Sequence, residues 1–313
     1  MKKIMIFVLA VVLVLGVLSA CSGDAGFSAD EPLSVATLAG PTGMGMIELI
    51  KSDEYDVQVL TSPDQITPKI INGEVSVAAI PSNLASVLYN KMEGGVKVLS
   101  VNTMGVLYIL EKGDSIGCIG DLDGKTIYAT GQGATPEYVL NEVLAQNNVN
   151  ATVEFMGAHA DLANAVAAGE IEYALLPEPF VSVVTAKNPD INVRVNVNEA
   201  WKQMTGTDLP MGVTVLVGDI ADNEAAVSKL IEDYSASVNY VNNETDEAAA
   251  DIEESGILSS AAVAKNAVPR CAISFVTGQD AKAMLTEYLS IMFESAPKSI
   301  GGALPDDEFY YMP

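Results

Sequence analysis

The sequence predicts an α/β protein built as two similar lobes, each a mostly parallel sheet flanked by helices, joined by two crossing strands. Three observations carry this expectation. Residues 65–87 repeat as residues 161–183 at a constant offset. Each copy reads as helix, glycine turn, apolar strand, proline, helix, the order that builds a sheet covered on both faces. Two further strand-like segments, 102–110 and 209–217, follow the first and second units, where a chain passes between lobes.

Taken in order, the chain opens on Lys2 and Lys3, then an apolar run over 4–17 that is short for a bilayer span. Leu18-Ser19-Ala20-Cys21 follows, a lipobox pattern. Residues 1–20 are therefore expected to be a lipoprotein signal peptide, and Cys21 the acylated anchor, with 21–32 as a small, polar tether. The expected location is extracytoplasmic, held at the membrane through Cys21.

Lobe one is expected over 33–106 plus 212–313, and lobe two over 107–211. In the first unit a strand at 33–39 leads through Gly40-Pro41-Thr42-Gly43 into a helix from about Met44. In the second, a strand at 125–129 leads through residues 130–135 to a helix opened by Pro136. Within the repeat, Ile66 meets Leu162, Ile70 meets Val166, Gly73-Glu74-Val75 meets Gly169-Glu170-Ile171, Pro81 meets Pro177, and Ser86-Val87 meets Ser182-Val183. The glycine suits a helix C-terminus, the apolar β-branched run a buried strand, and the proline the start of the next helix. The apolar spacing over 223–241 and 279–293 predicts core helices packed back on lobe one. Asn102, Thr103, Gly105, Pro210 and Gly212 are expected near the hinge.

The chain of 313 residues carries a net charge of −25, which disfavours nucleic acid and anionic headgroups as partners. A monomer is expected. Cys118 and Cys271 remain either a disulfide or two separate thiols. With a single histidine, no metal-ligand spacing arises, and no cofactor is expected. Gly131-Gln132-Gly133 begins like a dinucleotide fingerprint, but Pro136 stands where its last glycine belongs.

Ligands of open parallel sheets sit beyond the carboxyl ends of the strands, against helix N-termini. That rule selects Gly40, Pro41, Thr42, Gly43 and Met44, then Ser62 and Asp64, then Pro81, Ser82 and Asn83, with Thr103 beside the hinge. From lobe two it selects Thr130, Gly131, Gln132, Gly133, His159, Glu178 and Phe180. Several have a plain structural alternative. The glycines serve tight turns, Asp64 and Glu178 serve as helix caps, and His159 serves as a solvated loop residue. Tyr108, Tyr128, Tyr138 and Phe180 offer a stacking wall or core packing. Trp201 reads as packing, Arg194 as surface, and Arg270 as a structural partner of a carboxylate or a residue at the cleft mouth. No catalytic constellation is present.

The chain resembles the type II solute-binding proteins of ATP-driven importers. Within them it is most similar to the branch associated with nitrate, taurine, alkyl sulfonates, bicarbonate and the pyrimidine precursor of thiamine. The likeness is carried by residues 72–78 with Pro81, 121–127, 168–171, Pro177-Glu178-Pro179-Phe180 and Gly301-Gly302-Ala303-Leu304-Pro305. It implies the type II periplasmic-binding-protein fold, a cleft that closes on a small-molecule ligand, and docking on an ABC permease. It also leaves two alternatives: a sensing lipoprotein feeding a membrane receptor, and an enzyme of pyrimidine-precursor synthesis on the same fold. The expected ligand is a small polar or aromatic molecule.

Overall fold

The computed structural model describes residues 31–313. The expected signal peptide and Cys21 lie outside the described residues. The first sheet contains β1 (Leu33–Leu38), β2 (Tyr55–Leu60), β3 (Val77–Pro81), β4 (Val96–Thr103), β10 (Gly212–Val217) and β11 (Ile273–Thr277), in the order β11-β4-β10-β3-β1-β2. The second contains β5 (Leu107–Lys112), β6 (Thr126–Ala129), β7 (Thr152–Phe155), β8 (Tyr173–Pro177) and β9 (Ile191–Asn196), in the order β7-β6-β8-β5-β9.

The repeat explains the common half of both sheets. β2, β1 and β3 run parallel, and so do β7, β6 and β8. The remaining strands are added antiparallel, β10 against β3 and β4, and β5 against β8 and β9. Each sheet is therefore mixed, parallel over its repeat unit and antiparallel where the chain enters or rejoins it.

The helices are α1 (Pro41–Met44), α2 (Ile47–Lys51), α3 (Pro63–Ile71) and α4 (Ser82–Lys91) in the first unit. The second has α5 (Thr135–Gln146), α6 (His159–Ala168), α7 (Phe180–Lys187) and α8 (Val197–Thr205). The C-terminal part adds α9 (Glu224–Asn243), α10 (Thr245–Glu254), α11 (Ala261–Ala267) and α12 (Gly278–Ser295). Repeat positions Gly73 and Gly169 both adopt left-handed backbone, φ 68° and 76°, just past α3 and at the end of α6. That conformation turns the chain from helix into the buried strands β3 and β8.

Neither crossing is one continuous strand. Pairing in the first sheet ends at Thr103 and pairing in the second begins at Leu107, because the chain changes partners there. The return runs through 206–211 before β10 begins. The two crossings are tied together, Met211 N–H donating to Thr103 O at 2.9 Å. Among the described residues no helix is long and apolar enough to cross a membrane. One apolar cluster runs through both sheets, from Val98 and Val213 through Leu107 and Ile109 to Trp201 and Tyr288. Burying that much apolar surface in one cluster is the main cohesive term between the two sheets.

Candidate functional site

The first cleft segment follows β1. Gly40 takes φ +110° and Pro41 occupies the first helical turn, so the expected loop is itself helical and α1 begins three residues before Met44. A proline ring already has a helical φ, which is why the helix starts there. Thr42 donates its hydroxyl to Leu38 O at 2.9 Å, and Thr42, Gly43 and Met44 are all buried. A carbon added at Gly43 would lie 2.8 Å from Leu38 O. Met44 packs its sulfur 4.0 Å from the Cys271 thiol. Gly43 and Met44 thus serve packing, and Gly40 is buried as well, its φ of +110° suiting the turn from β1 into α1. Thr103 donates to Asn102 Oδ1 at 2.9 Å inside the same buried hinge region.

The second segment is less engaged. Ser62 flanks α3 without a side-chain cap bond, and Asp64 is exposed in its first turn. Asp64 therefore does not cap the helix; its charge only complements the dipole. Lys69 sits in the last turn of α3, paired with Glu74 at 3.5 Å, at the opposite end of the helix from the cleft.

The third segment is the most informative in lobe one. Pro81 ends β3, and Ser82 opens α4 with its N–H donating to Met211 O at 3.1 Å. Ser82 is 1 % exposed, and its Oγ has no hydrogen-bond partner. A buried hydroxyl without a partner is costly and calls for an explanation. Asn83 donates to Ser299 O at 3.1 Å and accepts from the Thr135 hydroxyl at 3.0 Å.

In lobe two, Thr130 is buried and its hydroxyl is hydrogen-bonded to His159 Nδ1. His159 opens α6, and its ring stands 5.3 Å from that of Phe180 at an angle of 38°. Burial pushes the imidazole below its ordinary pKa, which favours the neutral form with one donor and one acceptor nitrogen. Thr130, His159 and Phe180 thus converge. Gln132 and Gly133 do not join them: both are exposed, and Gly133 N–H is taken by Glu137 at 2.5 Å. Gly131 has φ +80°, and a carbon added there would lie 3.0 Å from the Pro136 ring, so it shapes the turn.

Glu178 is the most heavily bonded of the expected site residues. Its carboxylate accepts from Ser182 N–H at 3.1 Å, from Ser182 Oγ at 3.0 Å and from Arg270 Nε at 2.5 Å. Arg270 Nη2 also donates to Ser182 Oγ at 2.8 Å. The cap and ion-pair alternatives both hold. Burial raises the Glu178 carboxyl above its ordinary pKa, and Arg270 pulls the other way without prevailing. Arg270 lies just before β11, in a 3-10 turn at Val268–Arg270, so the pair ties the C-terminal part of the chain to α7.

Two other contacts join the sheets' flanking layers. The Thr135 hydroxyl lies 3.1 Å from Tyr288 OH, and the Trp201 and Tyr288 rings are 6.0 Å apart. Trp201 is fully buried, in keeping with a packing role. Tyr108 donates to Arg270 O at 2.9 Å and is buried rather than part of a stacking wall. Arg194, expected at the surface, instead donates to Ile116 O at 2.7 Å beside the buried Glu111. Cys118 and Cys271 are separate thiols. Ser182 and Tyr288 escaped sequence reasoning. The signal for Ser182 was in the repeat, where it meets Ser86. Among the described residues no group of three or more acidic, histidine or cysteine side chains is arranged to hold a metal. What the arrangement offers is hydrogen-bond donors and acceptors beside a histidine–phenylalanine pair.

No curated protein matches the chain. Among solved structures, an ABC transporter from Parabacteroides distasonis is 23% identical, covering 91% of this chain and 99% of that one, with a TM-score of 0.80. The aliphatic sulphonate binding protein SsuA of Escherichia coli is 13% identical over 90% and 92%, with a TM-score of 0.71. A ligand binding component of an ABC-type import system from Staphylococcus aureus is 13% identical over 90% and 97%, with a TM-score of 0.69. These likenesses establish the fold as that of type II periplasmic binding proteins. The family model described as menaquinone biosynthesis matches residues 43–291, most of the described chain. The chain is therefore a member of the menaquinone biosynthesis family, with the two-sheet architecture of the solute-binding proteins.

Proposed function

We propose that the chain is the extracytoplasmic solute-binding component of an ABC importer, anchored through Cys21, whose two lobes capture a small polar or aromatic molecule. The lobes are taken as 33–106 plus 212–313 and 107–211, and the partner as a membrane permease. The observation that carries the proposal is Ser82: a buried hydroxyl without a partner at the N-terminus of α4. An acceptor atom of a bound molecule would satisfy it. Gly40, Asn83, Thr130, His159 and Phe180 supply the remaining surface. Similarity to an aliphatic sulphonate binding protein and to a ligand binding component of an ABC-type import system supports transport as the class of function.

The experiment is thermal unfolding against a panel of pyrimidines, purines, aromatic acids, sulfonates, nitrate and bicarbonate. A ligand at about a hundredfold excess over its Kd adds roughly 2.7 kcal/mol, a rise on the order of 5 °C. Affinity for the stabilising compound should fall about tenfold in Ser82→Ala, the worth of one buried hydrogen bond. Unchanged affinity in that variant would remove Ser82 from the site.

The family's description favours a second reading, an enzyme acting on a small metabolite in the same cleft. Conversion of the stabilising compound into a product would select it over transport.

A further inference from the structure

The repeat pairs Ser82 with Glu178, as Pro81 pairs with Pro177 and Ser86 with Ser182. These two positions stand at the same place in the two lobes, where a buried strand hands over to a helix. Their states differ. Ser82 Oγ is buried without a partner. Glu178 instead places its own carboxylate on the first turn of α7, taking Ser182 N–H and Oγ, and receives Arg270 on the same oxygen as the hydroxyl. A free helix N–H, a hydroxyl and a guanidinium together are what an external carboxylate or sulfonate would need. Here all three are already engaged by a side chain that is 0% exposed, while the Arg270 side chain is 34% exposed. Glu178 is held between Pro177 and Pro179, whose rings restrict the backbone that would have to move to release it.

We propose that Glu178 is a specificity-determining residue: a built-in substitute for an anionic ligand group, filling the oxyanion subsite of α7. The clamp then accepts molecules that bring no negative charge to that end of the cleft, and their acceptor atom goes to Ser82. This inference rests on the proposed solute-binding reading and names its ligand class as uncharged at the α7 end. Arg270, one of only two arginines in the chain, is then engaged by Glu178 in place of an external oxyanion.

The test empties the subsite and offers it small anions. Wild type, Glu178→Ala and the Glu178→Ala/Arg270→Gln double variant are unfolded thermally in formate, acetate, nitrate or methanesulfonate, each against chloride at equal ionic strength. The midpoint of Glu178→Ala should rise by about 3 °C or more over chloride with at least one oxyanion. Wild type should not respond, and the double variant should lose the response. Should Glu178→Ala fail to fold, Glu178→Ser, whose short side chain also vacates the carboxylate's place but retains a hydroxyl, is titrated calorimetrically with the same anions and should bind at least tenfold more tightly than wild type. An equal response in wild type, or none beyond chloride in the variants, overturns the inference. Neutral compounds run on the wild type in parallel report separately on the solute-binding reading, since their binding does not depend on an emptied subsite.

Discussion

At the scale of single residues, Glu178 shows how burial and charge compete. Arg270 favours its ionised form and burial disfavours it; burial prevails, and the carboxyl stands above its ordinary value of 4.5. Between that value and the raised one, the folded chain keeps a proton that the unfolded chain releases. The associated stability is fully present below about 4.5 and is lost as pH rises through the raised value. The urea midpoint of wild type should therefore fall relative to that of Glu178→Gln as pH climbs from 4.5. A difference that grows instead would mean Arg270 outweighs burial. Gly43 gives a steric counterpart. An alanine there would push its Cβ to 2.8 Å from Leu38 O, a backbone atom. Overpacking of this kind costs about 1–3 kcal/mol, so Gly43→Ala should lower the unfolding free energy by that much.

At the scale of elements, the repeat accounts for much of what the sequence made legible. The glycine turns, the buried strands β3 and β8, and the helices α4 and α7 all follow from it. Gly73 has nothing within 4 Å of an added Cβ, so Gly73→Ala should cost only the left-handed backbone, about 1–2 kcal/mol by chemical denaturation. Ser86 and Ser182, equivalent in the repeat, both reach the C-terminal part of the chain: Ser86 donates to Ile300 O at 2.8 Å, and Ser182 accepts from Arg270. Ser86→Ala would remove that bond and leave Ile300 O only the longer one from Asn90 Nδ2 at 3.2 Å, so it should cost about 0.5–1.5 kcal/mol. Less was legible in the site. The repeat and the strand-end rule placed Glu178 in a cleft loop, but its partner Arg270 is remote in sequence and no local pattern pairs them. The 40–43 segment read as a loop because two glycines and a proline are loop formers, whereas the proline at the first turn starts a helix. The crossings read as single strands because β-branched residues continue through them; the change of pairing partner at 104–106 leaves no mark on periodicity.

At the scale of the whole molecule, the C-terminal part of the chain braces both repeat units. Arg270 holds α7, Ile300 holds α4, and Tyr288 meets Thr135 and Trp201 across from the first sheet. Ser82, at the start of α4, has unmatched hydrogen-bonding capacity, and Thr130, His159 and Phe180 converge beside the second sheet. As the proposed binding protein, the chain captures a small molecule and releases it unaltered. Equilibrium dialysis of the chain against a small-molecule extract of the cells that produce it, read by mass spectrometry, distinguishes capture from turnover. A compound enriched on the protein side and recovered with its mass unchanged is the predicted result. Depletion of a compound with appearance of a product, or no enrichment of any compound, would contradict it.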